Sequence, residues 1–173
     1  MALKIIFMGT SEFAVPILKS LKETKHIILE VYTQPPKKRD RGQKLNLTPI
    51  HTFSKKNNIK VSYPEKIDTK EEYERFKKLN PDVVVVVAYG KIIPKQFLDI
   101  ENIIFLNIHA SLLPKWRGAA PIQRSIMEMD KETGISIMKI VPKLDAGPYM
   151  MQKSVSISEK DNNFSLSKKL SEV

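Results

Sequence analysis

Five consecutive valines, Val83–Val87, constrain the fold of this 173-residue chain more than any other feature. β-Branched side chains favour extended backbone, and a run apolar on both faces needs cover on both. It suits a central parallel strand between two helical layers, not a strand with one wet face. The surrounding pattern agrees. Residues 3–8 and 27–33 read as strands, closed by Gly9 and by Gln34-Pro35-Pro36, where consecutive prolines cannot continue a ladder. Between them Phe13, Ile17, Leu18 and Leu21 recur at helical spacing.

Further helices are predicted over 49–57, with Pro49 in the first turn, and over 68–79, where Asp68-Thr69-Lys70-Glu71 resembles a capping box and Asn80-Pro81 ends the element. A short segment at 61–63 separates the two. A short helix is expected after Pro94, a buried strand over 102–109, a helix over 118–129, strands over 135–141 and 149–157, and a last helix over 164–173. Strands alternating with helices predict an α/β fold with a right-handed, mostly parallel twisted sheet flanked by helices. Residues 35–48 carry Lys37, Lys38, Arg39, Arg41 and Lys44 with hardly any apolar side chains, so an exposed loop is expected there. The last helix runs to the final residue without a stop signal, as in a chain cut from a longer protein.

Composition removes several classes of function. There is no cysteine, which excludes disulfides, thiolate nucleophiles and cysteine-based zinc sites. His26, His51 and His109 form no His-x-x-x-His pair, so no metal is expected. No stretch approaches the roughly 20 apolar residues of a membrane-spanning helix, and Thr10, Ser11 and Glu12 break the apolar start before it could serve as a signal peptide, so a cytoplasmic protein is predicted. The turn Gly9-Thr10-Ser11-Glu12-Phe13 has one glycine where a dinucleotide fold carries three. A phosphate-binding loop and a Gly-x-Ser-x-Gly elbow are likewise missing from the sequence. The net charge of +10 favours polyanionic partners, or reflects a lysine-rich proteome.

Ligands of open parallel sheets bind beyond the carboxyl ends of the strands. Asn107 and His109 interrupt an apolar run at such an end, and their two-residue spacing turns both to one face. An amide and an imidazole there could donate to an oxyanion and move a proton, or merely satisfy loop backbone. Asp145, in a Pro- and Gly-rich loop, could cap a turn or orient a histidine. Residues 111–122 could be a plain strand-to-helix connector or could shape a pocket around Trp116.

The motif Asn107-Ile108-His109-Ala110-Ser111-Leu112-Leu113-Pro114, with Arg117-Gly118 and the later Asp145-Ala146-Gly147, resembles the signature of folate-dependent formyltransferases. Phe7-Met8-Gly9-Thr10, Gln34-Pro35, Arg41-Gly42, Ala88-Tyr89-Gly90-Lys91-Ile92-Ile93-Pro94 and Gly118-Ala119-Ala120-Pro121-Ile122-Gln123 extend the match along nearly the whole chain, most closely to members acting on initiator methionyl-tRNA. The resemblance implies a Rossmann-like fold and formyl transfer from 10-formyltetrahydrofolate to the methionine amino group, for translation initiation. It assigns Asn107, His109 and Asp145 as the catalytic trio. Asn107 and protonated His109 would stabilise the oxyanion while Asp145 orients His109. It also assigns Val87, Tyr89, Gly90, Lys91, Ser111, Leu112 and Pro114 to the folate, and Arg41, Lys37, Lys38, Arg39 and Lys44 to the tRNA. Residues 1–173 are then the catalytic domain, expected as a monomer, without the C-terminal β-barrel that helps such proteins hold tRNA. Formylation of a small amine, glycinamide ribonucleotide or an amino sugar nucleotide, is the alternative within the class. An inactive RNA-binding fragment is the alternative outside it.

Overall fold

A computed structural model describes residues 1–39 and 44–173, giving for Lys38, Arg39 and Lys44 the backbone alone. The chain divides into two compact units, Met1–Phe105 and Leu106–Val173.

The first unit contains β1 (Lys4–Gly9), α1 (Ala14–Lys22), β2 (Ile27–Tyr32), β3 (Lys37–Arg39), β4 (Lys44–Asn46), α2 (Pro49–Lys56), β5 (Val61–Ser62), α3 (Lys70–Leu79), β6 (Val83–Val87) and α4 (Lys95–Leu98). Four of its strands lie in the order β5-β2-β1-β6, and every pair among them is parallel. The valine run does what its composition demands: Val84, Val85, Val86 and Val87 are buried, and β6 pairs in register with β1. Phe76 of α3 meets Phe97 of α4 edge-on at 5.0 Å and stacks on Phe105 at 6.0 Å, filling the space beneath the strands with aromatic rings.

A register shift between β1 and β2 after Ile5 pairs Ile6 with Glu30, whose side chain is wholly buried. Arg75 from α3 reaches in to pair with Glu30, donates to Ser62 Oγ at 2.6 Å and to Tyr32 Oη at 2.9 Å, and bonds Glu72 at 2.6 Å. Lys60 adds a second cation 3.2 Å from Glu30. Burial, and then the Glu72 charge, push the Tyr32 phenol far above its ordinary pKa.

Two expectations need correction here, and a third falls on residues that are not described. The stretch 35–48 is not only loop: Lys37 pairs with Asn46 and Arg39 with Lys44 in an antiparallel ribbon. So short a ribbon of mostly polar residues leaves no apolar periodicity to read. Helix α3 is capped one residue later than predicted, with Thr69 Oγ1 accepting from the backbone N–H of Glu72. Arg41, the leading basic residue of the expected tRNA loop, lies outside the described residues.

The division falls within β7 (Ile104–His109), which is followed by α5 (Pro121–Met127), β8 (Glu132–Lys139), β9 (Tyr149–Ser156) and α6 (Asn163–Ser171). Strand β8 is antiparallel to both β7 and β9, so the sheet is mostly but not wholly parallel, as the expected fold class allows. The connector over 140–148 holds no helix, and a parallel return needs a crossover of a dozen or more residues. Helix α5 starts at Pro121 and not at Gly118, because Ala120 takes a left-handed conformation with φ of 58°. Asn162 and Ser165 form a reciprocal capping box on α6.

Candidate active site

Strand β7 delivers two polar side chains to one face, as its period requires. Asn107 lies opposite Met138 and His109 opposite Ser136 on β8. Both meet Asp145 from the β8–β9 connector. Asn107 Nδ2 donates to Asp145 Oδ1 at 3.4 Å, and His109 Nδ1 lies 3.6 Å from Oδ2. Oδ2 also accepts the Gly118 backbone N–H at 2.9 Å. One carboxylate thus gathers an amide, an imidazole and a backbone donor, and both ionisable side chains are about nine-tenths enclosed, at 8% and 11% exposure.

Asp145 reaches this point from a strained backbone, with φ of 44°. Its connector is clamped by Lys139 N–H bonding Pro148 O at 3.0 Å. A Cβ at Gly147 would stand 1.9 Å from the Lys139 carbonyl oxygen, so only glycine lets the loop approach β8 this closely.

The other ring nitrogen, His109 Nε2, is 3.0 Å from the Trp116 carbonyl oxygen. A carbonyl only accepts, so Nε2 carries a proton here. The segment between the two residues is pinned repeatedly. Ser111 Oγ donates to Lys115 O at 2.6 Å, Ser136 Oγ to Ser111 O at 2.6 Å, Leu113 N to Ser136 Oγ at 3.0 Å, and Gln152 Nε2 to Leu113 O at 2.9 Å. The Leu113-Pro114 bond is cis. Ser111 is therefore a framework residue through its hydroxyl, and Leu112 lines a cavity of about 100 Å³ with Lys115, Trp116, Asp130, Glu132 and Thr133. Ser136 and Gln152 had no signal in the sequence beyond being polar residues in strands.

The first unit carries the other predicted ligand residues. After β6 the chain turns through Ala88 at φ 46° and Gly90 at φ 75°. The Tyr89 carbonyl between them accepts from Thr10 Oγ1 at 2.8 Å and Gln34 Nε2 at 3.0 Å. A Cβ on Gly90 would fall 2.3 Å from Gln34 Nε2. Such a turn suits a ligand read through main-chain groups close to the backbone. Val87 and Tyr89 are buried, and burial raises the Tyr89 phenol to about 12. Lys91 spends its ammonium on the Pro64 and Glu65 carbonyls at 2.6 and 2.8 Å, so its side chain ties two loops together. Burial, opposed by Glu65, lowers its pKa. Lys37 is exposed on the hairpin. Among the described residues there is no grouping of three His, Asp or Glu side chains that could hold a metal, and no helix long and apolar enough to cross a membrane.

Residues 3–173 match the formyl transferase family model, and the chain belongs to that family. Within it, the chain is 59% identical over 99% of its length to methionyl-tRNA formyltransferase of Pelagibacter ubique, and 50% identical over 98% to that of a Sulfurihydrogenibium species. It spans only 56% and 55% of those proteins, about half their length. Among solved structures, phosphoribosylglycinamide formyltransferase from Bacillus halodurans superposes with a TM-score of 0.73 at 24% identity, over 96% of this chain and 87% of the other. A formyltetrahydrofolate deformylase from Pseudomonas syringae pv. tomato gives 0.74 at 19%, over 99% and 58%. At these identities the likeness establishes the α/β formyltransferase fold.

Proposed function

We propose that the chain transfers a formyl group from 10-formyltetrahydrofolate to the methionine amino group of initiator methionyl-tRNA, in translation initiation. The observation that carries the chemistry is the Asp145 carboxylate gathering Asn107, His109 and the Gly118 N–H. The choice of amine rests on the likeness to methionyl-tRNA formyltransferases at up to 59% identity.

The folate co-substrate supplies the formyl carbon. In the first unit the main chain of Val87, Tyr89, Gly90 and Lys91 is suited to read its polar edge. In the second, Ser111, Leu112 and Pro114 are further proposed folate contacts, on the segment beside His109 that the Ser111 hydroxyl helps to pin. As the neutral amine bonds to the formyl carbon, charge develops on the formyl oxygen. Asn107 Nδ2 and His109 Nε2 are the donors available to it. That oxygen would compete with the Trp116 carbonyl for the Nε2 proton. Asp145 holds the opposite ring nitrogen and the Asn107 amide, so one carboxylate aims both donors. The amine gives up a proton, the folate nitrogen gains one, and the bond between that nitrogen and the formyl carbon breaks. Lys37, Lys38, Arg39, Arg41 and Lys44 are proposed to bind tRNA phosphates, an interaction that weakens with salt.

The test supplies the purified chain with 10-formyltetrahydrofolate and, separately, charged initiator tRNA, glycinamide ribonucleotide and an amino sugar nucleotide. Formylated methionyl-tRNA is expected, and His109→Ala should cut its rate by roughly a hundredfold or more. Formylation of a small amine in its place, or full activity in the variant, would overturn the proposal.

A further inference from the structure

The connection from His109 does not end at Trp116. Trp116 is a bulky residue at φ of 58°, a backbone region that is strained for residues other than glycine. Something must hold it there, because its carbonyl is the partner of His109 Nε2. Packing alone is a poor candidate, since the Trp116 side chain borders the cavity of about 100 Å³ and lacks contacts on that side.

Asp130 supplies the missing hold. It lies between α5 and β8, its backbone N–H bonded to Ser125 O at 2.9 Å. Its Oδ2 accepts the Trp116 indole N–H at 2.7 Å, and its Oδ1 accepts Lys115 Nζ at 2.6 Å. Lys115 Nζ also sits 5.3 Å from the centre of the Trp116 ring, within range of a cation–π attraction. One carboxylate thus grips two consecutive side chains of the turn that presents the carbonyl.

We infer that Asp130 is a positioning residue for His109: by fixing Trp116 and Lys115 it holds the carbonyl that orients the imidazole and keeps a proton on Nε2. Asp145 and the Trp116 carbonyl then define the ring from opposite nitrogens. Its bearing on catalysis rests on the formyl-transfer reading, whereas its bearing on His109 does not.

Side-chain ¹⁵N spectra of His109 in this chain, with kinetics of formyl transfer alongside, separate the two. Asp130→Ala should shift the His109 ring resonances away from the Nε2–H pattern. It should also lower kcat by about ten- to a hundredfold and displace its pH profile, with KM for both substrates changed less than about twofold. Trp116→Phe, which keeps the ring and removes only its N–H, should act in the same direction. The double variant should be no worse than the more affected single one. If Asp130→Ala does not fold, Trp116→Phe carries the test. Unchanged ¹⁵N shifts and kcat in a folded variant, with only a lower Tm, would overturn the inference. A wild-type chain that transfers no formyl group would defeat the proposed function and leave the spectra to decide the role of Asp130.

Discussion

Glu30 in the first unit and Asp145 in the second are both enclosed carboxylates, and they are neutralised differently. Glu30 in the first unit is met by two permanent cations, Arg75 and Lys60, with Ser62 completing the cluster. Asp145 in the second has no Lys or Arg partner among the described residues; its neighbours are an amide, a backbone N–H and an imidazole. A buried charge that serves only the fold is best matched by groups that never change state. One that serves proton transfer has to face a partner that can gain and lose a proton. Backbone strain follows the same split around Asp145, where Trp116, Ala120 and Asp145 all have positive φ, whereas Glu30, although at a register shift, does not.

Substitutions that remove charge on each side break this comparison. Asp145→Asn should produce the largest effect, a fall in kcat of roughly a thousandfold or more, because under the proposed function it removes the carboxylate that orients the imidazole. Thermal unfolding should move little, and a large drop in Tm with kcat retained would place Asp145 in the same class as Glu30. Arg75→Met should do the reverse, destabilising the protein by about 3–5 kcal/mol in denaturant titrations by leaving Glu30 short of its main cation. Adding Glu30→Leu should recover most of that loss; no recovery would mean that Arg75 acts through packing.

The smallest effect sharpens the contrast at a neutral group. Tyr89 is 2% exposed, and its Oη has no hydrogen-bond partner among the described residues. Tyr89→Phe should be neutral or stabilising by about 1 kcal/mol. The phenol ionises near 10.0 when free and near 12 in the fold, so its contribution is intact below pH 10 and is lost as pH rises toward 12. Stability measured across that window should therefore decline less in the variant than in the parent, and identical slopes would show that Tyr89 is not the group responsible.

Much of this was legible in the residues. The valine run predicts a buried strand, and a period of two predicts that Asn107 and His109 share a face; both are observed. The meeting with Asp145, distant along the chain, could come only from the family resemblance, since nothing local distinguishes that aspartate from a turn residue. Strand direction was harder. The residues 110–120 and α5 between β7 and β8 look like a parallel crossover, and the antiparallel outcome is a property of how the whole unit packs. Asp130 was invisible for a related reason: its importance lies in two hydrogen bonds to a turn whose left-handed shape no local pattern announces.

Gly147 carries a consequence for how this loop can change over time. Because the Lys139 carbonyl stands where its side chain would begin, every amino-acid replacement at that position displaces the backbone two residues from Asp145. Random substitution can therefore explore the surrounding surface, but any lineage that keeps Asp145 in place must reach new sequences without passing through position 147.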